Sequence, residues 1–312
     1  MKKIGSFFRL VRWPNLLITA MMMCLVYHCV MMMESTAAFT LLVISMVFVV
    51  AGGYVINDIF DVETDAVNKP KKLIVGKIFS EKQCKVFYWT LTVIGLCCAL
   101  ASTIIAYGTK FYLVFICMLL LAGVLYSYSS TYKKKLLIGN VIVSLSVAFA
   151  VFLPWLFEML YMSKHTLLLS ANEGLMTTSL RIVLIYTVFA FLTTLIREIV
   201  KDLEDIDGDE RSGCRTMPIA WGMKTSNIIV AVMLFLLAGL MIRFTIFTKN
   251  FSGSETATFL IRLTYVFAFM SLIRVFNARK AKIPRIAYHQ ISTDLKVIML
   301  VGVLSMFFIS IM

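Results

Sequence analysis

Long apolar runs alternate with short polar links along the chain. The runs lie near 16–34, 38–56, 86–107, 111–128, 137–157, 180–197, 226–247, 257–276 and 295–312. An α-helix needs about 20 mostly apolar residues to cross the hydrocarbon of a bilayer. The pattern therefore predicts an all-α, polytopic membrane protein of about nine transmembrane helices. The last run has few boundary marks, which leaves eight or ten spans open. The first run follows a basic start, MKKIGSFFRLVRW, as a secretory signal would. It is too long for a signal core and no small-residue cleavage site follows it, so a retained first helix is expected.

Composition agrees with that pattern. Of the 312 residues 60% are hydrophobic and 15% charged, with a mean hydropathy of +0.90; a soluble domain keeps about a quarter of its residues charged. The net charge of +13 would suit a nucleic-acid binder, but its distribution points elsewhere. With the N-terminus inside, 24 of the 30 Lys and Arg residues fall in inside segments or at the inner ends of the runs, and Lys110, Lys164, Arg181, Arg243, Lys249 and Arg262 lie in the outside links or at the outer ends. That is the bias of the positive-inside rule. It predicts a cytoplasmic N-terminus, an outside C-terminus after nine spans, and a basic face toward anionic lipid headgroups, with no nucleic acid as partner. Seven cysteines and three histidines are scattered without CxxC pairs or ligand spacing, so buried thiols and no zinc site are expected.

The two longest inside links, 57–85 and 198–225, hold most of the acids. The first carries Asn57, Asp58, Asp61, Glu63 and Asp65; the second carries Asp202, Glu204, Asp205, Asp207 and Asp209. Asp58, Asp61 and Asp65 stand at i, i+3 and i+7, and Asp202, Asp205 and Asp209 repeat that spacing. At about 100° per residue these positions fall within roughly 60° of a helix face. Glu63 and Asp207, both at i+5, point off it. Gly208 is placed to break the second helix before Asp209.

Three like charges on one face at a membrane boundary are costly unless a cation offsets them. Magnesium takes oxygen ligands and is typically bound by one or two carboxylates plus substrate phosphates. Two such clusters facing each other could clamp a diphosphate through two or three Mg2+ ions, neutralising the leaving group as an allylic C–O bond ionises. The plain alternative is solvated loop acids, which the recurrence of one spacing on one side disfavours. Basic residues accompany both clusters: Lys69, Lys71, Lys72 and Lys77 follow the first, Arg197 and Lys201 precede the second, and Arg211 and Arg215 follow it. They suit phosphate oxygens, positive-inside anchoring, or, for Arg197 and Lys201, helical pairing with Asp205. Gly52 and Gly53 suit close packing or a bend beside the first cluster.

The motif NDIFDVETD (57–65) resembles the NDxxDxxxD motif of the UbiA superfamily of intramembrane prenyltransferases, and Asp205–Asp209 resembles that family's DxxxD. Arg12, Pro14 and Asn15 resemble its N-terminal region, Arg215-Thr216 its basic-Ser/Thr step, and Tyr126, Ser127, Lys133–Lys135 and Asn140 its link between spans 4 and 5. Lys69-Pro70 stands where the family commonly has Arg-Pro. The resemblance implies nine helices around a central cavity capped by the cytoplasmic links. It implies that Asp58, Asp61, Asp65, Asp205 and Asp209, with Asp202, handle Mg2+ and diphosphate. It also makes Asn57, Lys69, Lys72, Arg197, Lys201, Arg215, Arg12, Asn15, Tyr126, Lys134 and Asn140 substrate-binding residues. One membrane domain over 1–312 is expected, with spans 2–5 and 6–9 as two related halves.

The partners so implied are a prenyl diphosphate donor, a lipophilic or amphipathic acceptor and membrane lipids. The stretch RExxKDLEDIDGD (197–209) is most similar to the branch that prenylates geranylgeranylglyceryl phosphate in ether-lipid synthesis, and homogentisate prenyltransferases share part of it. An aromatic quinone-precursor acceptor is therefore the alternative. A secondary transporter is the distant alternative: ionisable groups in transporters sit near the midplane, whereas these acids crowd one boundary. A scaffold with acidic loops would tolerate Asp→Glu exchange, which a metal clamp would not.

Overall fold

The computed structural model of the chain describes residues 2–30, 36–68, 70, 73–109, 111–211, 213–248, 254–278 and 284–309. Among these the elements are α1 (Lys2–Leu10), α2 (Trp13–Val30), α3 (Thr36–Phe60), α4 (Val62–Asn68), α5 (Glu81–Tyr107), α6 (Leu113–Ser130), a 3-10 turn (Tyr132–Lys134), α7 (Ile138–Lys164), α8 (Thr166–Ala171), α9 (Glu173–Glu204), α10 (Ile206–Arg211), α11 (Met217–Thr248), α12 (Ser254–Ala278) and α13 (Pro284–Phe307). Among the described residues eight helices are long and apolar enough to cross a membrane. A ninth follows if α1 and α2, bent by 51°, count as one span. The chain is an integral, multi-pass membrane protein.

Several helices outrun the apolar runs that announce them. The run expected to end at 56 continues as helix to Phe60, the run expected over 180–197 is helix from Glu173 to Glu204, and the run expected from 295 begins as helix at Pro284; its expected end, 310–312, lies outside the described residues. Hydropathy marks only the stretch that meets hydrocarbon, while backbone bonding continues through polar residues whose donors would otherwise be orphaned. The extra turns carry Asn57 and Asp58 on α3, Lys201 and Asp202 on α9, and Arg285 and His289 on α13.

The chain divides into two compact units: Met1–Cys24, Met32–Lys133 and Phe157–Lys164 form the first, and Leu25–Met31, Lys134–Leu156 and His165–Met312 the second. In the first, α3 packs on α5 and α6. A Cβ at Gly52 would stand 2.6 Å from Thr92 Oγ1, and one at Gly53 would stand 2.8 Å from Leu125 Cδ1, so this pair lets α3 lie close to both neighbours. Ser102 Oγ donates to the Ala38 carbonyl at 2.7 Å, tying α5 to α3. Ser80 and Gln83 form a reciprocal capping box at the start of α5.

In the second unit α13 packs on α9 and α12, and α11 on α9 and α12. With little hydrophobic drive between helices in lipid, polar bonds and close packing hold them. The Tyr186 hydroxyl lies 2.7 Å from Ser305 Oγ, and Asn227 Nδ2 donates to the Tyr288 hydroxyl at 2.9 Å. Arg274 pairs with the buried Asp294, which also accepts from Ser271 Oγ at 3.3 Å.

Candidate functional site

The first acidic group forms where α3 gives way to α4. Asp61 is the turn residue between them, yet the helical bonding carries through the break: the Asp61 N–H donates to the Asn57 carbonyl at 3.0 Å and the Asp65 N–H to the Asp61 carbonyl at 2.8 Å. The i, i+3, i+7 spacing therefore keeps its face across two helices. Asp61 and Asn57 are buried. Asn57 Nδ2 donates to Asp61 Oδ2 at 2.7 Å, and the Lys133 ammonium pairs with the same carboxylate. Lys133 Nζ also lies 3.4 Å from Asn57 Oδ1.

Asp58 is held from the N-terminus. Arg12, at the bend between α1 and α2, donates from Nη2 to Asp58 Oδ1 at 2.9 Å. Its guanidinium also stands 4.8 Å from the centre of the Tyr54 ring, and Asn15 Nδ2 donates to the Tyr54 hydroxyl at 3.2 Å. Arg12 has φ 53, a left-handed conformation that an L residue adopts only when its surroundings hold it there. Here the bend turns the guanidinium onto Asp58. Tyr54 was not foreseen from sequence, although it precedes Asp58 by one helical turn.

The second group repeats the design. α9 ends at Glu204, Asp205 caps it, and α10 follows. The Asp205 N–H donates to the Lys201 carbonyl at 2.9 Å and the Asp209 N–H to the Asp205 carbonyl at 3.1 Å. The break thus falls at Asp205, not before Asp209 as Gly208 had suggested; Gly208 is buried inside α10. Asn140 Nδ2 donates to Asp202 Oδ2 at 2.8 Å. Arg197 and Lys201, expected to pair with Asp205, both meet Glu198 Oε1, at 3.0 and 2.7 Å. Glu198 lies nearer on the same turns than Asp205, which sits beyond the end of the helix.

Two residues beyond 225 join this group. Arg285 Nη2 lies 3.7 Å from Asp205 Oδ1, and His289 Nδ1 lies 2.9 Å from Glu204 Oε1. Neither is foreseen from the sequence, because both fall in the link expected between the last two spans, far along the chain from the acids. The Arg215 N–H donates to the Lys134 carbonyl at 3.0 Å, which joins two predicted binding residues through backbone; both side chains are exposed. Tyr126 is set among aromatic rings, 6.0 Å from Phe60 and 6.2 Å from Tyr88. Lys69, Lys71 and Lys72 lie outside the described residues. Glu63 and Asp207 are exposed.

The carboxylates are the hard oxygen donors that Mg2+ prefers. Among the described residues no three acidic, histidine or cysteine side chains converge as in a preformed metal cage. Carboxylates of this kind suit an ion held by one or two of them and completed by substrate oxygens. Arg197 Nε and Thr216 Oγ1 are among the buried polar atoms of the second unit that have no hydrogen-bond partner among the described residues. Both can donate, as a phosphate oxygen requires.

The UbiA prenyltransferase family model matches residues 14–293. The chain belongs to that family. It is 30% identical to the digeranylgeranylglyceryl phosphate synthase of Sulfolobus acidocaldarius over 75% of this chain and 76% of that one. A solved structure concerning digeranylgeranylglyceryl phosphate synthase in membranes matches 98% of both chains at 25% identity and TM-score 0.66. A UbiA homolog from Archaeoglobus fulgidus, bound to GPP and Mg2+, shares the fold at 15% identity and TM-score 0.60, over 96% of this chain and 99% of that one. The protein is a prenyltransferase.

Proposed function

We propose that this UbiA prenyltransferase moves a geranylgeranyl group from geranylgeranyl diphosphate to the free hydroxyl of geranylgeranylglyceryl phosphate. The observation that carries the reading is the paired helix break, which presents an aspartate triad of one spacing twice. The acceptor rests on the similarity to digeranylgeranylglyceryl phosphate synthases at 30% identity over three quarters of the chain. With the N-terminus cytoplasmic, both breaks work at the cytoplasmic face.

Asp58, Asp61 and Asp65 in one unit and Asp202, Asp205 and Asp209 in the other would hold two or three Mg2+ ions. The bound ions would neutralise the departing diphosphate and so lower the barrier to ionising the allylic C–O bond. Asn57 and Asn140 each hold a carboxylate oxygen in a fixed direction by a hydrogen bond donated from the side-chain amide. Arg12, Arg197, Lys201 and Arg215, with Lys69, Lys72 and Lys134, supply donors to phosphate oxygens; Thr216 adds a hydroxyl. Asn15 and Tyr126 line the approach of the substrates. In the reaction the C1–O bond to diphosphate breaks, the acceptor oxygen bonds to C1, its proton is lost and diphosphate departs.

The test is to incubate purified protein with Mg2+, labelled geranylgeranyl diphosphate and a panel of acceptors. Label should pass to geranylgeranylglyceryl phosphate in preference to homogentisate, naphthoate or hydroxybenzoate. Preferred labelling of an arene would overturn the acceptor assignment. Asp61→Glu, which keeps charge but moves the oxygens, should lose most turnover, whereas acidic loops of a scaffold would tolerate it.

A further inference from the structure

We propose that Arg285 is a further ligand for substrate phosphate, parked on Asp205 while no metal is bound. This rests on the proposed role of Asp205 as a Mg2+ ligand. Arg285 and His289 stand one turn apart, so both project from one face of α13. That face meets the end of α9: His289 Nδ1 is 2.9 Å from Glu204 Oε1 and Arg285 Nη2 is 3.7 Å from Asp205 Oδ1.

The same unit contains a useful contrast. Arg274 and Asp294 join α12 to α13 through a close ion pair, with side chains 31% and 11% exposed, and Ser271 supports the carboxylate. That pair is structural: breaking it would leave a buried charge unpaired. Arg285 is built differently. Its side chain is 56% exposed, its contact to Asp205 is long, and the carboxylate meets it through one oxygen. A guanidinium so placed has most of its five donors open to other acceptors.

A divalent ion on Asp205 would repel the guanidinium and take over its counter-charge. The negative charge then within reach of the same arm is the phosphate that such an ion binds, and a planar fork suits phosphate oxygens. His289 keeps this turn of α13 beside α9 while Arg285 changes partner. The phosphate has two possible sources, the diphosphate of the donor and the phosphomonoester of the acceptor.

The experiment compares wild type, Arg285→Gln and Arg285→Lys as full-length protein in detergent. Mn2+ affinity is measured without substrate, then binding of inorganic diphosphate and of glycerol phosphate to the Mn2+-loaded protein, then KM for each substrate. Arg285→Gln should bind Mn2+ about three- to tenfold more tightly, since a competing cation is gone, and bind one phosphate probe about ten- to a hundredfold more weakly. Arg285→Lys should recover only part of that loss. Weaker diphosphate binding with a raised donor KM assigns the donor; weaker glycerol phosphate binding with a raised acceptor KM assigns the acceptor. Both probes within twofold of wild type, or weakened Mn2+ binding, would overturn the inference. Binding is read apart from turnover, so an inactive wild type would sink the proposed function while the probes still decide Arg285.

Discussion

At the first helix break the acids face cations at short range: Asp61 pairs with Lys133 and Asp58 accepts from Arg12 at 2.9 Å. At the second break Asp202 accepts from the neutral amide of Asn140 at 2.8 Å, and Asp205 faces Arg285 across 3.7 Å. The backbone device is the same in both, a long helix, a turn aspartate and a short helix that continues the bonding. Equal spacing thus fixes the direction of the carboxylates and not their electrostatic company. On the proposed reading the first break must exchange built-in cations for metal, while the second is closer to receiving one.

The largest expected effect is removal of divalent metal. Chelation should abolish turnover and Mg2+ should restore it; activity persisting in excess chelator would remove the metal role from both breaks at once. Next come the two asparagines, which separate the breaks. Asn140→Ala leaves Asp202 without its amide and should raise the Mg2+ requirement about ten- to a hundredfold, as loss of an outer-shell partner does. In Asn57→Ala, Lys133 still holds Asp61, so a smaller rise of about three- to tenfold is expected. The reverse order in a Mg2+ titration would show that the cations at the first break do not replace the amide.

A smaller effect is expected at Tyr54. Tyr54→Phe loses the hydroxyl that Asn15 meets but keeps the ring under Arg12, so kcat/KM should fall about fivefold, near the roughly 1 kcal/mol of one hydrogen bond. Tyr54→Leu removes the ring as well and should cost more. An equal loss in both would mean that the ring contributes nothing. Least affected should be Glu63→Gln and Asp207→Asn, both within about twofold of wild type because these exposed side chains lie off the two faces.

The acid faces were legible because helical spacing survives the turn at Asp61 and at Asp205. The spans were legible because hydropathy reports contact with hydrocarbon. What hydropathy could not report is where helices end, so the polar turns of α3, α9 and α13 were assigned to links. The counter-ions were hidden for a different reason. Lys133 stands among three lysines of equal charge, and only the 3-10 turn decides which one meets Asp61. Glu198 intercepts Arg197 and Lys201, which spacing alone would also let reach toward Asp205. Arg285 and His289 come from a helix more than 70 residues further along the chain, and no local pattern ties them to the acids of α9.

The central claim is that both breaks serve one metal-dependent release of diphosphate. It is tested most directly by measuring diphosphate release from labelled geranylgeranyl diphosphate, with Mg2+ and geranylgeranylglyceryl phosphate, in wild type, Asp61→Ala, Asp205→Ala and the double variant. Wild type should release diphosphate, each single variant should fall about a thousandfold, and the double variant should be little worse than either, as for groups that act as a unit. Near-wild-type release by either single variant, or losses that multiply in the double, would contradict the account.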